Sequence, residues 1–248
     1  MNKIRRFNII AGVFHLVQFG AVLALSNSFS LPVTATYLAG PPGSEFSAPI
    51  TLFDVRVGWG VALFLFLSAF FHFVVASPQF FNRYQKSLEK NQNIFRWVEY
   101  SISSSVMIVL IAQITGIADY AALLGIFFVN ATMIWFGWLQ EKYTNPGTKD
   151  FLPFIFGSLA GLIPWVIILI SVIAPKSEFP ATPPAFVYGI VVSLFLFFNS
   201  FALVQYWQYK QKGKWSDYLY GERAYIILSL VAKSALSWQI FSGTLIPE

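Results

Sequence analysis

Lys233 has the least ordinary setting of any residue in this chain. It lies in the run SLVAKSALSW (residues 229–238), deep inside an apolar segment and too far from either end for its amine to reach water easily. A charge at the centre of a bilayer costs at least roughly 2.5–3.5 kcal/mol on insertion scales, so something must offset it. Two chemistries could. One is an ion pair that locks two helices. The other is a lysine that forms a Schiff base with an aldehyde, since burial favours the free, nucleophilic amine. Glu99, in RWVEY (96–100), is the natural partner, being the carboxylate set well inside an apolar segment. Asp54 and Asp119 fall at the outer ends of such segments, Glu141 and Glu222 at the inner ends. A carboxylate within roughly 4–6 Å stabilises a protonated nitrogen. A plain salt bridge uses the same two residues, so the pair leaves both chemistries open.

Both histidines of the chain, His15 and His72, also lie in apolar segments. Ser68 is one helical turn from His72, Ser229 one turn from Lys233, and Ser103 one turn beyond Glu99. Together these groups could form a hydrated network beside the pair, with histidine as the side chain suited to proton exchange near neutrality. The two histidines could equally be hydrogen-bonded packing residues. No segment shows ligands at metal spacing, and the chain has no cysteine, which excludes disulfides and thiolate sites. Phe198, Phe201, Ala202 and Gln205 share one helical face; Asn130, Met133 and Ile134 cluster on another segment, and Trp165 on a third. Such a lining would suit a rigid polyene, although a ring stripe of this kind also serves as ordinary core.

Seven membrane spans must position these residues. The chain is 56% hydrophobic and 19% aromatic with only 11% charged residues, against about 25% charged in a soluble domain. Apolar stretches of span length lie near residues 7–26, 52–76, 94–116, 120–141, 151–174, 184–209 and 220–243. The expected architecture is a single all-α domain over 1–248, a bundle of seven transmembrane helices in a lipid bilayer, with no cleavable signal peptide. The net charge of +5 does not point to nucleic acid, because the basic residues flank the spans. Lys3, Arg5, Arg6, Arg83, Lys86, Lys90, Arg96, Lys142, Lys149, Lys210, Lys212, Lys214 and Arg223 fall on one side; Arg56 and Lys176 fall on the other. That bias predicts a multi-pass protein of the cell membrane with its N-terminus in the cytoplasm. The longest connection, 27–51, lies on the outer side. Its stretch Leu31–Leu38 alternates apolar and hydroxyl residues before a Gly-Pro-Pro-Gly turn, which predicts a short β-hairpin that either caps the bundle or pairs with another subunit.

Over essentially its whole length the sequence resembles the heliorhodopsins, a family of inverted microbial rhodopsins. The resemblance is carried by NQNIFRWVEYSISSS (91–105), GERAYIILSLVAKSALSWQIF (221–241), FGWLQEKY (136–143), LFFNSFALVQ (196–205), Phe14-His15 and Phe71-His72-Phe73. It implies that Lys233 binds all-trans retinal as a protonated Schiff base, that light isomerises the retinal to 13-cis, and that Glu99 is the counterion. It further implies a polar network of His15, Ser68, His72, Asn93 and Ser229, and a retinal pocket of Asn130, Met133, Ile134, Trp165, Phe198 and Gln205. An outer hairpin that helps to build a homodimer is also a family feature. The expected role is a light sensor with a slow photocycle and an unknown cytoplasmic partner, not an enzyme. A light-gated channel or light-driven transporter is the alternative. A pump needs proton stations on both sides of Lys233, and the outer half offers no second acid.

Overall fold

A computed structural model describes residues 2–173 and 183–246; Lys176, counted above on the outer side, lies outside the described residues. Its long helices are α1 (Asn2–Leu25), α2 (Val57–Ala76), α4 (Ile94–Ile114), α5 (Tyr120–Tyr143), α6 (Leu152–Ile173), α7 (Ala185–Lys210) and α8 (Tyr218–Ile240). All seven are long and apolar enough to cross a membrane. Apolar side chains cover nearly every face of these helices, as a lipid-solvated bundle requires. Three of the starts are capped by a side chain. The side-chain oxygen of Asn93 accepts from the Arg96 amide, that of Asp119 from Ala121 and Ala122, and that of Asp217 from Leu219, which satisfies amides that have no partner within the helix.

Successive long helices pack side by side, and α8 returns to pack on α1, so the bundle closes as a ring. The α1–α8 seam is stitched at one end. The Asn27 side chain donates to the Thr244 and Ile246 carbonyls, and its amide donates to Leu245 O. Further in, Trp238 Nε1 donates to Gln18 Oε1 at 3.1 Å.

The expected hairpin is present and longer than the sequence suggested. Strand β1 (Ser30–Ala35) pairs antiparallel with β2 (Ile50–Arg56), with a register shift between Val33 and Thr34. An additional bridge joins Leu38 to Phe46 nearer the tip. The second span therefore begins at Val57, not at residue 52. Alternating β-formers at Thr51, Phe53 and Val55, with Asp54 and Arg56 among them, favour a strand at the membrane edge over a lipid-facing helix. The other edge of β1 docks on the loop before α5, where the Thr34 amide donates to Ala118 O at 2.8 Å.

A second difference lies at the opposite, lysine- and arginine-rich end. The segment expected as a basic loop after the second span contains an amphipathic helix, α3 (Pro78–Leu88). Tyr84 and Leu88 are buried and Phe81 is half-buried, while Arg83 and Lys86 are exposed. Pro78 is preorganised for the first turn, where no amide hydrogen bond is lost.

The two halves of the bundle interior differ in kind. Toward the hairpin end the core is aliphatic and aromatic, with Val61, Leu65, Ile108, Ile111, Ile190 and Leu236 all buried. Every buried Lys, Arg, Asp or Glu among the described residues is Lys233 itself or lies on the basic side of it: Arg96, Glu99, Glu141 and Glu222.

Candidate functional site

The middle of the bundle brings α8, α4 and α2 together around one nitrogen. A helical side chain leans back toward its own N-terminus. Lys233 therefore runs down α8 toward the basic end, where α8 begins, and meets groups from the other two helices there. Its Nζ donates to Glu99 Oε1 at 2.6 Å and also to Ser68 Oγ. Ser68 in turn donates to the same Glu99 oxygen at 2.7 Å. The ring of Tyr100 lies 5.2 Å from the nitrogen, a cation–π distance. Lys233, Glu99 and Ser68 are 3%, 4% and 1% exposed, so the pair is screened by protein rather than by water. An ion pair of this burial holds together only because its hydrogen bonds are also supplied.

Beside this nitrogen is a ring-rich cavity walled by α4, α5, α6, α7 and α8, spanning from the level of Trp97 and Tyr225 to that of Met107. Met133, Ile134, Phe198, Phe201 and Gln205 of the expected pocket line it, as do Ser103 and Ser229. Gln205 Nε2 is held by Gly137 O at 2.8 Å. Asn130 and Trp165 stand one layer behind the wall. Asn130 donates to Ser104 and Ser105 on α4, and Trp165 packs edge-on against Phe195 and Phe198. Trp97, Tyr100 and Tyr225 line the cavity too and were not singled out from sequence, because each was read only as a neighbour of Glu99 or as general apolar content.

On the basic side of the nitrogen is a smaller, polar cavity. Ser68, His72, Asn93, Arg96, Glu99 and Glu222 line it. His72 stacks on His15, with centroids 5.6 Å apart and ring planes 12° apart. His15 is wholly buried, and neither ring nitrogen has a hydrogen-bond partner among the described residues. Asn93 is buried but belongs to the floor of this cavity, where its partners are carboxylates other than Glu99. Its amide donates to Glu141 Oε1 at 2.5 Å and its Nδ2 to Glu222 Oε2 at 2.8 Å.

That floor revises the picture of the span ends. Glu141 and Glu222 do lie near helix ends, and Arg96 near the start of α4, yet all three are buried. Arg96 forms ion pairs with both carboxylates. Trp97 Nε1 and the Tyr218 hydroxyl also donate to Glu141, at 2.8 and 3.2 Å. The guanidinium lies 4.0 Å from the Tyr225 ring and 4.6 Å from that of Trp97. Arg96 thus plugs the bundle between the polar cavity and the basic surface instead of marking topology from solvent.

Seven apolar helices ringed around a buried lysine, with a ring-lined slot ending on its amine, are the architecture of the retinal-binding rhodopsins. The heliorhodopsin family model matches residues 4–245 of the 248-residue chain, and the chain belongs to that family. No curated protein matches it. The residues present fit a long conjugated aldehyde. The slot wall is predominantly apolar and reaches Lys233. Side chains close in around Gly137, where an added Cβ would lie 2.7 Å from the Trp97 ring, and around Gly161, where it would lie 2.4 Å from Met133 Sδ. The buried hydroxyls of Ser103, Ser229 and Tyr225 lack side-chain hydrogen-bond acceptors in the wall.

Proposed function

We propose that this protein is a photoreceptor that carries all-trans retinal on Lys233 with Glu99 as counterion. The observation that supports this most directly is the buried 2.6 Å Lys233–Glu99 contact at the end of the ring-lined cavity. Retinal bound there would supply a light-driven change of shape and a protonated nitrogen. The chain's own residues then do the rest. In the dark, Glu99 and Ser68 hold the positive charge on the Lys233 nitrogen. When that nitrogen is drawn away from Glu99, two buried charges are separated at high cost. Moving the proton from the Lys233 nitrogen into the region of Glu99, Ser68 and the stacked histidines relieves the cost. The Arg96 cluster forms the floor of the polar cavity on that side, between it and the basic surface, which suits a slow return and a long-lived altered state able to bias a partner.

The sensor reading is favoured over a transporter by the aliphatic half of the bundle, where no buried ionisable side chain continues a path beyond Lys233 among the described residues. The basic bias supports an N-terminus in the cytoplasm of a cell whose membrane the protein spans, with α3 facing a cytoplasmic partner. The outer edge of β2, with Ile50, Leu52 and Phe53 exposed, supports a homodimer through the hairpin. Expression with all-trans retinal should give a visible pigment, and Lys233→Ala should be colourless. A colourless unmodified protein refutes the proposal, and a sustained photocurrent under voltage clamp replaces the sensor with a transporter.

A further inference from the structure

Asn8, on α1, is 3% exposed and contacts the histidine pair from the basic side. Its Oδ1 is 2.7 Å from His72 Nδ1. Its Nδ2 donates to Ile4 O at 3.0 Å and to the Tyr84 hydroxyl of α3 at 3.4 Å. An amide's two ends have the same shape, and only partner chemistry tells them apart. Here the partner decides. The Ile4 carbonyl can only accept, so the Asn8 atom facing it must be the NH2 group. Flipping the amide would set two oxygens 3.0 Å apart in a buried site. Burial pushes the Tyr84 hydroxyl up to about 12, so that neighbour is neutral and able to accept as well.

The atom facing His72 is therefore an acceptor, and His72 Nδ1 must carry the hydrogen. In the neutral ring that leaves Nε2 as the basic nitrogen. Among the described residues His15 has no such partner on either nitrogen, so none of them fixes its tautomer. The rings are stacked, and charging both at once is opposed by like-charge repulsion. We propose that Asn8 is a positioning residue that fixes His72 in the Nδ1–H tautomer and so makes His72 Nε2, rather than His15, the atom that accepts the proton released from the Lys233 nitrogen. The role rests on the photochemical reading above; the tautomer does not. Once Nε2 is protonated, the Nδ1–H bond to Asn8 becomes charge-assisted and stronger, which holds the proton there.

The test uses the full chain in lipid bilayers with retinal and 15N-labelled histidine. In a His15→Phe background, which leaves one histidine, dark-state solid-state NMR should show a protonated Nδ1 and an unprotonated Nε2. Asn8→Leu should abolish this single tautomer and slow light-driven loss of the proton from the Lys233 nitrogen by at least about tenfold. Asn8→Asp, which as the neutral acid donates to Ile4 O and accepts from His72, should keep the tautomer and most of the rate. A dark-state Nε2–H form or a tautomer mixture in the His15→Phe protein overturns the assignment without need of an Asn8 variant. An unchanged rate in Asn8→Leu overturns the positioning role. A pigment that never loses the proton in light sinks the photochemical reading and the role with it, while the dark tautomer stands or falls on its own spectrum.

Discussion

Removing the Arg96 guanidinium is the sharpest test of how the floor of the polar cavity is held. Arg96→Gln strands two buried carboxylates, Glu141 and Glu222, that its ion pairs now neutralise. Breaking a buried pair by deleting one partner costs about 3–5 kcal/mol. Asn93, Trp97 and Tyr218 still donate to the carboxylates, which favours the lower part of that range. At roughly 2–4 °C per kcal/mol for a chain of this size, a loss of about 3 kcal/mol lowers the melting temperature by roughly 6–12 °C. Circular dichroism of the detergent-solubilised protein reads the shift without depending on the pigment. Combining Arg96→Met with Glu141→Gln and Glu222→Gln removes the stranded charge, and neutral replacements of buried ion clusters often lose little stability. The triple variant should therefore melt closer to the unmodified protein than Arg96→Gln does. An Arg96→Gln protein that melts with the unmodified one, or a triple variant no better than the single, would refute the claim that charge compensation holds this floor.

Further perturbations probe the rest of the site. Glu99→Gln removes the negative partner 2.6 Å from the Lys233 nitrogen and should move visible absorption to longer wavelength; an unshifted band argues against a counterion role. His72→Ala should change photocycle rates by severalfold while leaving the dark absorption band nearly in place, as time-resolved spectroscopy would show. Gly137→Ala places a Cβ against the rigid Trp97 ring and should cost about 1–3 kcal/mol by overpacking, with a reduced pigment yield; full yield would mean that the wall gives way. Phe53→Lys with Leu52→Glu places charge on the exposed strand edge and should convert a dimer to a monomer in light-scattering measurements, whereas a persistent dimer moves the interface elsewhere.

Much of the fold was readable because a bilayer imposes one length and one composition on every span. The helix boundaries at 94, 120 and 152 fall within a residue or so of the sequence reading, since Asn93 and Asp119 are capping residues and Phe151 follows a polar loop. The Lys233–Glu99 pair was readable because isolated charges in apolar runs must find each other. What was hidden depended on distant packing or on a reading of charge as solvated. Counting Arg96 among the basic flank concealed a residue that turns inward to Glu141 and Glu222. The spacing of Phe81, Tyr84 and Leu88 behind Pro78 carried the signal for α3, outweighed by the basic residues between them. Asn8 gave no signal at all, since its partners His72 and Tyr84 are 64 and 76 positions away.

The Asn27 stitch has a mechanical consequence. It fastens the turn that follows α8 to the end of α1 at the hairpin rim, and Gln18 with Trp238 adds a second fastening further in. Toward the basic rim, the same two helices meet through apolar packing of Ile4, Ala11 and Ile226, with no side-chain hydrogen bond between them among the described residues. These fastenings make the α1–α8 seam harder to open at the hairpin rim than at the basic rim. If the proposed photochemistry strains the bundle beside Lys233, α1 and α8 would part more readily toward the basic rim, where α3 and the basic surface would carry the movement outward.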